Sequence, residues 1–117
     1  MNLMKLLVTG GAGYIGSHAV KALLEKGEKV VVIDNLFRGY KKPIEILQEK
    51  FGPQNLTFYQ GDLGDKTFVK KVLSKEKPEA ALHFAALCLV NESMENPGLY
   101  FRNNVLGTLN LLEAMVE

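Results

Sequence analysis

Residues 5–16 read Lys5-Leu6-Leu7-Val8-Thr9-Gly10-Gly11-Ala12-Gly13-Tyr14-Ile15-Gly16. A short apolar run from Lys5 to Thr9 has the length and composition of a buried strand. It ends in glycine, and Gly10, Gly13 and Gly16 then recur at every third position. Beyond Gly13 the apolar period becomes helical. Ile15, Ala19, Ala22 and Leu23 fall at i, i+4, i+7 and i+8, and the pattern runs to about Lys26. Gly27 stands where a helix is expected to stop. In a strand–turn–helix unit of this kind each glycine has a separate task. Gly10 permits a tight turn, Gly13 lets backbone approach a pyrophosphate, and Gly16 lets the helix pack closely on the sheet. The helix start then offers free N–H groups and the positive end of its dipole to an anion. The same spacing also fits a bare turn, and its place between strand and helix is what favours phosphate.

Outward from this unit the alternation continues. Lys29 to Ile33 carries a β-branched run suited to a strand covered on both faces. Asn35 to Tyr40 reads as a loop, and Pro43 to Lys50 as a helix with proline in its first turn. Gly52-Pro53 breaks the chain. Leu56 to Gln60 is a third strand. Asp65 is placed to cap a helix whose apolar face is Phe68, Val69, Val72 and Leu73. Pro78 ends that region, Ala80 to Phe84 is a fourth strand, and Asn96-Pro97 opens a helix towards Met115. Strands separated by helical crossovers pair in parallel with right-handed connections. The expected fold is α/β, a partial Rossmann-type doubly wound sheet of four strands in the order 3-2-1-4. The last helix is apolar around much of its circumference. Phe101, Val105, Thr108, Leu112 and Met115 form one stripe, and Leu99, Leu106 and Leu109 lie well away from it. Such a helix needs cover on most sides, and residues 1–117 contain no element to provide it.

Two acids extend the glycine pattern. Asp34 ends the second strand, 18 residues beyond Gly16. A carboxylate there accepts from the hydroxyls of an adenosine ribose and repels a 2′-phosphate, which favours NAD over NADP. An Asp opening a turn with Asn35 is the plainer alternative. Asp62-Leu63 follows the third strand. The carboxylate can accept from an exocyclic amine of adenine and the next N–H can donate to a ring nitrogen, although Gly-Asp is also a common turn. Arg38, Lys41 and Lys42 read as a solvated loop.

Composition removes other classes. The 117 residues are 47% hydrophobic and 23% charged, with a net charge of +1, so there is no footprint for nucleic acid or a membrane surface. No apolar run reaches about 18 residues. The first ten residues lack the regions of a signal peptide. A lone cysteine, Cys88, excludes an internal disulfide framework and fits a reducing, cytoplasmic setting. No cluster of His, Cys and acids has metal-ligand spacing.

Taken together, Val8-Thr9-Gly10-Gly11-Ala12-Gly13-Tyr14-Ile15-Gly16-Ser17-His18, Asp34-Asn35-Leu36 and Gly61-Asp62-Leu63 resemble the extended short-chain dehydrogenase/reductases. His83-Phe84-Ala85-Ala86, Val90, Glu92-Ser93, Pro97, Tyr100, Asn103-Asn104-Val105 and Gly107-Thr108 make the UDP-glucose 4-epimerase family the nearest match, ahead of the sugar-nucleotide 4,6-dehydratases. The resemblance runs over the whole chain and over about the first third of the family's length. It implies that residues 1–117 are the N-terminal part of an NAD-binding domain, with the substrate domain absent. It implies cofactor contacts from Gly10, Gly13, Tyr14 and Ile15 at the pyrophosphate, and from Asp34 and Asn35 at the ribose. Asp62 and Leu63 would meet the adenine, Phe84, Ala85 and Ala86 would pass under the cofactor, and Asn103 would lie beside it. Cys88 departs from the pattern, standing where some members have a lysine for the nicotinamide ribose.

The activity implied is interconversion of UDP-glucose and UDP-galactose through a 4-keto intermediate, with NAD taking and returning a hydride. The family's base is the tyrosine of a Tyr-x-x-x-Lys pair. Four residues beyond Tyr14, Tyr40, Tyr59 and Tyr100 stand His18, Ile44, Leu63 and Asn104, so this chain has no such pair. The chain alone is expected to be inactive. A UDP-hexose is the substrate the full-length family implies, and a homodimer through the helix at 97–115 its implied assembly. A free-standing nucleotide-binding module is the alternative reading. His18 is expected as a packed or surface residue, His83 as a hydrogen-bonded core residue rather than a base, and Lys70-Lys71 as a solvated face.

Overall fold

The computed structural model describes residues 4–37, 40–85 and 94–116, the side chains of 100–103 excepted. Strands β1 (Lys5–Thr9), β2 (Lys29–Asp34), β3 (Leu56–Gln60) and β4 (Ala80–His83) alternate with helices α1 (Tyr14–Glu25), α2 (Lys42–Phe51) and α3 (Lys66–Glu76). A short helix α4 (Pro97–Tyr100), a π-helical stretch over Phe101–Leu106 and α5 (Gly107–Met115) follow. The four strands form one parallel sheet in the order β3-β2-β1-β4, as the alternation implies.

The period of two along each strand divides the core. Leu7, Val31 and Ile33 meet α3 and α5 through Val69, Val72, Leu73, Leu111 and Ala114. Val8, Val30 and Val32 meet α1 and α2 through Val20, Leu24, Ile44 and Leu47. Residues 30–33 of β2 are all fully buried, which is why that stretch reads as a continuous β-branched run rather than an alternation. Because all four strands run parallel, their C-termini lie at one edge, where the connecting loops gather.

Local signals act where the sequence places them. Gly27 takes a φ of +87° just past α1, and Pro43 sits in the first turn of α2. Asp65 caps α3, its Oδ1 accepting from the Phe68 N–H at 3.1 Å. Asp65→Ala is expected to lower stability by about 1 kcal/mol, read as a lower urea midpoint with an unchanged slope.

Three expectations need correction. The buried stripe of α1 is Gly16, Val20 and Leu24, not the Ile15–Ala19–Ala22 face. Gly16 must face the sheet because only glycine fits there, and this rotates Ile15 and Ala22 outward. In the last helix the buried residues are Gly107, Asn110, Leu111 and Ala114, whereas Val105, Leu112 and Met115 of the expected stripe are exposed. The inward face is chosen by closeness to α3, which Gly107 and Ala114 permit beside Leu111, so Val105, Leu106, Leu109, Leu112 and Met115 are left outside. That helix is also not uniform, since its middle widens into the π-helical stretch. Finally, β4 ends at His83, and its Leu82 and the following Phe84 are about 40% exposed. It forms the edge of the sheet among the described residues.

A polar tie also lies away from the loops. Lys5 Nζ and the Tyr59 hydroxyl both reach the Glu76 carboxylate, at 3.1 and 2.5 Å. The hydrogen bond to Glu76, with burial behind it, pushes the Tyr59 pKa up to about 12, the wrong direction for a general base. Burial raises the Glu76 pKa, but the hydrogen bonds from Tyr59 and Lys5 outweigh it and hold the carboxyl below its usual value.

Candidate functional site

The β1–α1 turn is built as the glycine spacing implies. Gly10 has a φ of +71°, and a Cβ there would stand 2.8 Å from the Ala85 nitrogen, so the ends of β1 and β4 touch through backbone. A Cβ on Gly16 would lie 2.0 Å from the Gly10 carbonyl oxygen. A Cβ on Gly13 would meet only that same oxygen, at an ordinary 3.4 Å. Gly13 is the N-cap of α1 and supplies no capping side chain, and the first turn holds no acid. The leading N–H groups of the helix, at Tyr14 and Ile15, thus sit at a positive helix end with both side chains largely exposed.

Asp34 is buried and acts on this turn directly. Its Oδ2 accepts from the Ala12 N–H at 3.0 Å and its Oδ1 from the Leu36 N–H at 2.7 Å. The second contact is the ordinary turn that a lone Asp makes. The first is not local: it ties the end of β2 to the glycine loop. Each carboxylate oxygen keeps acceptor capacity beyond one N–H. Asn35 is exposed and its Oδ1 accepts from Phe37.

Asp62 follows β3, exposed, with Oδ1 accepting from the Gly64 N–H at 2.8 Å. Leu63 is buried beside it, and its carbonyl accepts from Asn110 Nδ2 of α5 at 2.8 Å. Phe84 and Ala85 lie against Gly10. The residues expected in the site therefore share one edge of the sheet: Asp34 ends β2, and Gly10, Asp62 and Phe84 lie just past the C-termini of β1, β3 and β4. Ala86, Arg38 and Cys88 lie outside the described residues, as does the side chain of Asn103. His18 packs edge-on against the exposed Tyr14 ring, centroids 4.8 Å apart, which fits a surface role. Among the described residues no group of His, Cys and acids could hold a metal, and no helix is long and apolar enough to cross a membrane.

Sequence reasoning missed the polar residues behind the loops. Asn110, read within an apolar helix, is 5% exposed and holds the Leu63 carbonyl. Asn110→Ala would leave that carbonyl without its partner, and a loss of about 1–3 kcal/mol is expected, seen as a lower melting temperature. A buried Asn amid helical leucines was the available signal. Thr9, fully buried, and Thr108 flank His83, at 2.5 Å from Nδ1 and 2.9 Å from Nε2. His83 is hydrogen-bonded as expected but lies exposed at the end of β4 rather than in the core, and the partial burial of its ring holds its pKa below the ordinary value.

A doubly wound parallel sheet with a glycine turn after β1 and an acid ending β2 defines the Rossmann-like class of nucleotide-binding folds. The chain belongs to the GDP-mannose 4,6 dehydratase family, whose model matches residues 7–117. It is a homologue of UDP-glucose 4-epimerases. It is 47% identical to the UDP-glucose 4-epimerase of Lactobacillus helveticus over 112 residues, which is 96% of this chain and 32% of that protein. The UDP-glucose 4-epimerase from Stenotrophomonas maltophila, solved with bound NAD and formylated UDP-arabinopyranose, superposes with a TM-score of 0.88 at 40% identity, covering 97% of this chain and 33% of that one. The Thermus thermophilus enzyme, solved with NAD, gives 0.84 at 43% identity, with 95% and 33% covered. The chain thus spans about a third of the length of the relatives it matches.

Proposed function

We propose that this chain holds the adenosine half of NAD in a UDP-hexose 4-epimerase. The observation that carries the reading is the bond from the Ala12 N–H to Asp34. It places a buried carboxylate beside a glycine loop and an uncapped helix start, the pairing that a ribose and a pyrophosphate need. The N–H groups of Tyr14 and Ile15 bind the pyrophosphate, and Gly13 keeps the approach clear of a Cβ. Asp34, flanked by Asn35, accepts from the ribose hydroxyls. Asp62 and Leu63 take the adenine edge. Phe84 and Ala85 floor the crevice, and Ala86 and Asn103 are taken as further cofactor contacts on the family resemblance. NAD, when bound, supplies a hydride acceptor for C4 of the sugar. This chain's part is to bind and orient it. The base and the UDP-hexose site are expected from parts of the enzyme that these residues do not match, and a homodimer contact from the apolar outer face of α5. The setting expected is the cytoplasm.

The match to a dehydratase family model favours a second reading, a 4,6-dehydratase. Against it stands the identity of 44–49% to several 4-epimerases.

Calorimetric titration tests the reading. Saturable binding of NAD, weaker for NADP, is expected from the 117-residue chain, with no conversion of UDP-galactose. Absence of NAD binding would remove the cofactor role, and turnover by this chain would overturn its assignment as a binding part alone.

A further inference from the structure

The polar cluster behind the crevice floor has a proton arrangement that the contacts fix. Thr108 Oγ1 lies 2.6 Å from the Asn104 carbonyl oxygen. A carbonyl only accepts, so the single hydroxyl hydrogen of Thr108 is spent there. The 2.9 Å contact between Thr108 Oγ1 and His83 Nε2 must then take its hydrogen from the ring. With Nε2 protonated, Nδ1 of the neutral imidazole carries a lone pair. Thr9 Oγ1, 2.5 Å away, donates to it. The Thr9 oxygen in turn faces the Ala85 N–H at 3.4 Å and accepts from it. Every donor therefore points one way, from Ala85 to Thr9 to His83, and from His83 to Thr108 to Asn104.

We infer that His83 is a positioning residue: its ring, locked with the proton on Nε2, pins the Thr9 hydroxyl and through it holds the Phe84–Ala85 floor against the glycine loop. The consequence for NAD rests on the function proposed above, whereas the proton arrangement does not. Thr9 is fully buried, so a proton on Nδ1 would turn the Thr9 hydrogen away from the ring with no water to receive it. The penalty that burial places on the imidazolium acts in the same direction. The ring also joins elements far apart in sequence: its two nitrogens tie the Thr9 side chain of β1 and the Thr108 side chain of α5 to the end of β4, beside the backbone bond from the Phe84 N–H to the Thr9 carbonyl at 2.9 Å. The segment so held is the one that passes closest to the glycine loop, since a Cβ on Gly10 would stand 2.8 Å from the Ala85 nitrogen.

The test is nitrogen NMR of the imidazole rings in the 15N-histidine-labelled chain at neutral pH. The sequence has two histidines, so His18→Gln assigns the signals. A single His83 tautomer is expected, protonated at Nε2 with Nδ1 an acceptor. Thr108→Val removes the acceptor that sets it, and the ring should then average between both tautomers. In the same variant the Ala85 amide should exchange with solvent about fivefold faster, the equivalent of one ordinary hydrogen bond. A proton on Nδ1, an averaging ring in the unaltered chain, or a ring and an Ala85 amide indifferent to Thr108→Val would each overturn the inference. None of these readouts involves NAD, so their failure leaves the cofactor reading standing, and failure of the NAD titration leaves them untouched.

Discussion

Gly16→Ala is expected to unfold most of this chain at temperatures where the parent is folded. The added Cβ would stand 2.0 Å from the Gly10 carbonyl oxygen and 3.0 Å from the Gly11 Cα. Both obstacles are backbone, so no side chain can swing aside. Alanine in a helix gains about 1 kcal/mol over glycine, and that gain is overwhelmed. To relieve the overlap α1 must lift from the sheet by more than an ångström, which loosens Val20 and Leu24 from Val30 and Val32. Overpacking against backbone belongs with the most destabilising class of substitution, on the order of 4 kcal/mol or more. For a domain of this size that is a fall in melting temperature of at least about 15 °C. A circular-dichroism melt within about 3 °C of the parent's would show that α1 is not seated as described.

Gly13→Ala is the control that makes this result informative. Its Cβ meets one oxygen at 3.4 Å, and the Gly13 backbone, at φ −75° and ψ 174°, suits any residue. The fold should therefore survive. If Gly13 is where a pyrophosphate approaches, NAD affinity should nonetheless fall. The two glycines are alike in the sequence and differ in consequence: one is required by the protein's own backbone, and the other, on the function proposed above, by the ligand that approaches it.

That difference marks how far the sequence could be read. The strand limits of β1 and β3, the Asp65 cap and the stop at Gly27 follow from local rules, because each depends on neighbours within a few residues, and the sheet order follows from the alternation of strands and helices with right-handed crossovers. The sheet-facing stripe of α1 does not. Periodicity admits both the Ile15 face and the Gly16 face, and only the close approach to Gly10 decides between them. The inward face of α5 is hidden for the same reason, since Gly107 and Ala114 are chosen for closeness rather than hydrophobicity. In the candidate site the glycines and Asp34 carry sequence signals, whereas Thr9, Thr108 and Asn110 carry almost none. Their importance lies in partners 25 to 74 residues away, which no local pattern encodes.

Asp34→Asn separates the turn-holding role of this carboxylate from the ribose-binding role proposed for it. In the folded chain Asp34 receives the N–H groups of Ala12 and Leu36, and Leu36 is held at a φ of +63°, a left-handed conformation that leucine rarely adopts. Asparagine keeps one acceptor and turns an NH2 group towards one of those N–H groups, which leaves a buried donor unsatisfied. A loss of about 1–3 kcal/mol in stability is expected, by urea denaturation. A purely structural Asp34 would stop there, with the NAD affinity of the remaining folded molecules intact. A ribose-binding Asp34 does more. It gives up an ionised acceptor for the ribose hydroxyls, and with it the charge that opposes a 2′-phosphate. Two like charges about 5 Å apart at an effective dielectric near 20 repel by about 3 kcal/mol, so even partial exposure to solvent leaves a factor of ten or more. The variant should therefore bind NAD less tightly, while its preference for NAD over NADP narrows by at least about tenfold. Binding measured well below the denaturation midpoint keeps the two effects apart. An unchanged cofactor preference in a weakened fold would return Asp34 to the role of a turn residue, and would leave the glycine loop without its ribose partner.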